Sequence, residues 1–176
     1  MSLAEVDELT GYDISVLVEH HKIHEGNHFF ITGFQSRDTD EEIVFGITTP
    51  DTDEQAHVNT FIEAQSHIEI YVYEDSTFTG GTPVVPINNN RNSDNTSNMV
   101  LVSAPTVTDI GDLLRSTSSG KSGVNPVATD TGGIQARDRE LVLKRNTKYI
   151  FKTISKDDDN IISFEASWYE MIPKNI

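Results

Sequence analysis

The chain has 176 residues, no cysteine and a formal net charge of −15. That length suits one domain with a core large enough to stand without staples, and the missing cysteines exclude disulfides, thiolate metal sites and cysteine nucleophiles together. Residues 1–88 hold two basic side chains, Lys22 and Arg37, against 17 acidic ones, while residues 89–176 hold 11 of each, so direct nucleic-acid binding is not expected.

Residues 1–13, MSLAEVDELTGYD, predict an N-terminal arm; Leu3, Val6 and Leu9 stand three apart, enough for one helical turn at most. This start is acidic where an export signal is basic and then apolar, so export is not expected. Nor is a membrane, since no apolar run approaches the ~20 residues that span one. Residues 14–173 then predict a single β domain. Candidate strands are 14–23, 28–35, 42–48, 56–64, 67–75, 98–104, 139–145, 147–155 and 160–171, separated by turn clusters such as SRDTDEE, TPDTDEQ and KDDDN. In HIEIYVYED, Ile68, Ile70 and Val72 alternate with Glu69, Tyr71 and Tyr73, which puts one face in a core. In IISFEASWYE, Ile162, Phe164, Ala166 and Trp168 share one parity, so Trp168 is expected to anchor that core. Eight or nine short strands without a convincing helix predict an all-β fold, an antiparallel β-sandwich of jelly-roll or similar topology.

HEGNH, His24 to His28, has the H-E-x-x-H spacing of zinc peptidases. That spacing works on a helix, where the two imidazoles share a face and the Glu activates water. Here Gly26 and Asn27 form a turn-favouring pair, and both flanks read as strands, so the motif is expected on a hairpin turn with its histidines diverging. The extended form of the motif requires Gly at 31, where Ile31 stands. His20, His21 and His24 are left as a surface group able to meet a metal ion.

Other patterns are weaker. GKS at 120–122 lacks the glycine that a phosphate loop needs at 115, where Arg115 stands. Asp38/Asp40, Asp51/Asp53 and Asp157–Asp159 read as solvated turn acids, without the order of a calcium loop. NTS at 95–97 fits a glycosylation acceptor, which has no force without export. Since no catalytic set emerges, no enzymatic activity and no cofactor are expected.

Two connections, 79–97 (TGGTPVVPINNNRNSDNTS) and 105–138, are long for a sandwich. The first is stiffened by Pro83 and Pro86 and is expected to make intersubunit contacts through Val84, Val85, Ile87, Asn89, Asn90, Arg91 and Asn92, with Arg91 as charge anchor, Val84, Val85 and Ile87 packing there or against the sandwich edge.

The order HVNTFIEAQSHIEIYVYED, GGTPVVPINNNRNSDNTS, a Gly/Ser-rich loop, ELVLKRNTKYIFKTI and ISFEASWYE resembles small virion proteins of tailed bacteriophages, in particular head decoration or cement proteins. The likeness runs from about residue 17 to 170 and is most specific at Pro86 to Ser93 and at Trp168, Tyr169 and Glu170. It implies a non-enzymatic structural protein made in the host cytoplasm, bound to the outer surface of the major capsid protein's shell and stabilising it, with a homotrimer favoured and the 79–97 loop making capsid or intersubunit contacts. The alternative is a receptor- or glycan-binding β-sandwich of a phage tail or fibre, for which Tyr71, Tyr73 and Tyr169 are the candidate platform.

Overall fold

The structure is a computed structural model that describes residues 5–6, 13–14, 18–120 and 140–173. Short β1 (Glu5–Val6) and β2 (Asp13–Ile14) pair antiparallel, so the arm carries a small ladder in place of the expected helical turn. Helix α1 (Val18–Glu25) follows, then β3 (His28–Arg37), β4 (Glu42–Thr48), β5 (Gln55–Ala64) and β6 (Ile68–Glu74). Short strands β7 (Thr77–Thr79), β8 (Thr82–Val84), β9 (Ile87–Asn88), β10 (Val100–Ser103) and β11 (Thr106–Asp109) come next. The chain closes with β12 (Asp112–Ser119), β13 (Leu141–Val142), β14 (Lys148–Ser155) and β15 (Asn160–Met171).

The fold is all-β, an antiparallel sandwich. One sheet has the order β12-β6-β14-β4-β10-β8, the other β13-β5-β15-β3-β9, and a two-stranded ribbon β11-β7 stands apart. Consecutive strands β3, β4, β5 and β6 alternate between the sheets, and the last two, β14 and β15, each insert centrally into one sheet. The predicted alternations hold: Ile68, Ile70 and Val72 point into the core, and Trp168 is 1% exposed. Around Trp168 lie Phe29, Ile47, Val58, Met99, Leu101 and Tyr149; a second cluster gathers Ile43, Ile68, Ile70 and Ile162. Each such buried side chain contributes about 1.5–3 kcal/mol relative to exposure. Two aromatic rings occupy the space that a missing side chain leaves. The Phe164 ring lies over Gly33 on one sheet, and Phe78 of the ribbon lies over Gly46 on the other, where an added Cβ would come within 2.7 Å of the ring.

Three expectations are corrected. Residues 18–25 form helix, not the end of a strand 14–23, and HEGNH spans the end of a helix instead of a hairpin. The helix carries no buried residue, so no apolar stripe of period 3.6 could reveal it; it is supported by Lys22 pairing with Glu25 and by His21 at 2.9 Å from the same carboxylate. Its stop is a Schellman turn, in which Gly26 N–H donates to Ile23 O and Asn27 N–H to Lys22 O, with Gly26 at a φ of 74° that suits its missing Cβ. The connections also hold more strand than expected. Segment 79–97 contains β8 and β9, and 105–138 contains β11 and β12, whose Ser/Thr-rich edge pattern lacks an apolar alternation. Strand 139–145 shrinks to Leu141–Val142. Residues 121–139, with the Lys121 and Ser122 of GKS and most of the Gly/Ser loop, lie outside the described residues.

Candidate functional site

The asparagine-rich loop folds back on the end of α1. Asn90 Nδ2 donates to His24 O at 3.1 Å, Asn95 Nδ2 to Glu25 O at 3.4 Å, and Asn88 Nδ2 to Gly26 O at 2.8 Å. A helix end leaves carbonyls without intrahelical partners, and these amides satisfy them from 62 to 70 residues away. The loop is shaped locally by the same residue type: Asn88 Oδ1 accepts from Asn90 N–H at 2.8 Å and Asn90 Oδ1 from Asn92 N–H at 3.1 Å, two Asx turns in succession. Asn89 N–H donates to His28 O, and its side chain meets His28 Nδ1 at 3.0 Å.

The W-Y-E triplet ties this junction to the core by alternation. Trp168 and Glu170 point inward, and the buried Glu170 carboxylate accepts from Ser97 Oγ at 2.5 Å, Asn98 N–H at 3.1 Å and Trp168 Nε1 at 3.2 Å. Tyr169 faces the other way, stacks on the His57 ring with centroids 4.6 Å apart, and donates to Glu140 at 3.1 Å. Burial, then Glu140, pushes the Tyr169 phenol up to about 12.

The predicted contact residues therefore divide. Val84 is half-buried in β8 and packs against the core, and Asn89 and Asn90 serve the internal junction. Arg91 donates to Asn88 O at 3.4 Å, and Asn92 is held through its backbone N–H. Val85 is 82% exposed and Ile87 41%, at the corner where the chain crosses from the edge of one sheet to the edge of the other. Sequence reasoning missed Val100, 62% exposed at the start of β10, next to the Leu101 that pairs with Val84 at the end of β8. Only the pairing could have shown this.

The three candidate tyrosines do not form one surface. Tyr71 and Tyr73 share the outer face of the six-stranded sheet, near-parallel at 6.1 Å and half-buried, whereas Tyr169 is buried on the other sheet. The turn acids brace neighbouring turns: Asp158 accepts from Thr39, Asp38 from Asp159 N–H, and Asp40 and Asp53 meet Lys156 and Arg145 at 3.0 Å.

The histidines of the opening motif also part company. His28 is buried, with Nε2 at 3.3 Å from Glu19 and Nδ1 on Asn89; burial lowers its ring below the ordinary imidazole range, against the pull of Glu19. His24 stands instead on the exposed face of α1 beside His20. His24 and His28 therefore do not share the helical face that peptidase chemistry needs. Fold and site together define an antiparallel β-sandwich whose polar loop is fastened internally and whose apolar corner is left outside. Against protein-family models, curated proteins and solved structures alike, the chain finds no match.

Proposed function

We propose that the chain is a non-enzymatic structural protein of a tailed-phage virion, a decoration protein that binds the outer surface of the major capsid shell and cements it. The strand order carries this reading. Strands β3, β15, β5 and β13 lie in one sheet and β4, β14, β6 and β12 in the other with the chain passing between them, an order that we read as the wrapping of a jelly roll, an architecture found in capsid and lectin domains. Such a body is a rigid scaffold for attachment, and the corner of Val85, Ile87 and Val100 offers it an apolar contact with no internal partner to displace. Three copies around a capsid threefold axis would multiply a small contact into a stable one. The acidic first half keeps such a protein soluble at high copy number.

A second reading, a glycan-binding module of tail or fibre, draws on the near-parallel Tyr71 and Tyr73 rings on an open sheet face. Cryo-electron microscopy of particles carrying the chain separates the two. Density on the capsid lattice with the Val85 corner against the shell, lost in Val85→Asp, is the expected result. Density on the tail, or a glycan-array signal abolished by Tyr71→Ala, would transfer the protein to the recognition class.

A further inference from the structure

We propose that His20 and His24 form a two-imidazole chelate for a divalent transition cation of the zinc, nickel or copper type. The two residues stand at i and i+4 on α1, both exposed, with their rings edge to face at a centroid separation of 4.6 Å. Their Nε2 atoms are 3.1 Å apart. With metal–nitrogen bonds of ~2.05 Å, that separation subtends roughly 100° at a shared cation, between the right angle of octahedral sites and the tetrahedral angle. Which ring donates across this contact depends on the tautomer; with both protons on Nδ1, each Nε2 carries a lone pair for a shared cation. The protein supplies two ligands, and water fills the remaining positions.

Three features of the surroundings favour a cation there. His24 lies in the last turn of the helix, where the macrodipole is negative. The half of the sequence that holds α1 carries all of the excess negative charge. Neighbouring His21 is turned to Glu25 and His28 to Glu19 and Asn89, so the pair that faces outward is His20 and His24. Because Asn90 holds the His24 carbonyl, a bound ion would brace the helix and the asparagine loop together. The inference stands apart from the virion reading and does not depend on it.

The test is isothermal titration of the full, untagged chain with Zn²⁺ or Ni²⁺ alone, beside His20→Ala, His24→Ala and His21→Ala. Alanine is the best helix former, so these exposed changes keep α1 intact, which circular dichroism checks. The expected result is one equivalent bound, weakened at least about tenfold by either His20→Ala or His24→Ala and unchanged by His21→Ala. With Cu²⁺, electron paramagnetic resonance should show two equatorial imidazole nitrogens in the native chain and one in each variant. No binding, equal binding by His20→Ala, or loss on His21→Ala would each overturn the proposal.

Discussion

The two ends of β15 pin the same strand by different means. At its first residue, fully buried Asn160 accepts from Ser66 N–H at 2.9 Å and donates to His67 O and Ser155 Oγ, joining the β5–β6 turn, 93 to 94 positions away, to the β14–β15 turn. At the other end, Glu170 gathers Ser97, Asn98 and Trp168, so that a carboxylate ties a distant loop to the core. The Asn160 end adjoins an aliphatic cluster with a cavity of about 50 Å³ between the sheets; the Trp168 end is packed with aromatic rings and overlaid by the helix and the loop. The amide accepts and donates at once and so joins two turns to each other, whereas the carboxylate only accepts and so gathers several donors at one point. Among the described residues every buried side-chain nitrogen and oxygen has a partner, so neither pin can be removed without orphaning the groups it serves.

The contrast is most directly broken at Trp168. Trp168→Ala should lower stability by about 3–5 kcal/mol in denaturant unfolding, against about 0.5–1.5 kcal/mol for Ile162→Val at the aliphatic end. Next comes the carboxylate. Glu170→Ala takes the shared acceptor from Ser97, Asn98 and Trp168 and should cost about 3 kcal/mol, with hydrogen exchange accelerating across 88–98 first; Glu170→Gln, which keeps the shape and one acceptor, should cost less. Asn160→Ala should cost about 2 kcal/mol and accelerate exchange at 65–67 and 155–160, leaving 88–98 protected. If both pin variants opened the same segment, the two ends would form one cooperative unit and the comparison would collapse.

Acid sharpens the same comparison. Because burial lowers the folded His28 value, the unfolded chain takes up this proton first as pH falls, and the contribution is lost on acidification through the ordinary imidazole range. Between about pH 7 and 5 the Tm should fall, and less steeply in His28→Gln, which retains an amide for Asn89. An equal slope in the variant would move the acid sensitivity elsewhere. The smallest effect is expected at Asn90, whose exposed amide caps α1: Asn90→Ala should cost about 0.5–1 kcal/mol and fray the helix in hydrogen exchange.

Local pattern by itself determined the inner faces of the strongly alternating strands. Period-two alternation is a property of consecutive residues, so HIEIYVYED and IISFEASWYE declared their inner faces, and Asp and Asn at 157–160 declared the reversal, before any packing was known. Tertiary structure alone decided the rest. Helix α1 buries no side chain and so has no periodic signature, and Gly26–Asn27 ends a helix with the same residues that would turn a hairpin. Asn88, Asn90 and Asn95 read as loop polarity until the fold brings them to carbonyls more than 60 positions away. The separation of His24 from His28, and its approach to His20, depends on which of them the helix holds and which the first long strand buries. Alternation is written along the chain, but the partners of amides, carboxylates and imidazoles are set by long-range closure, which no local window contains.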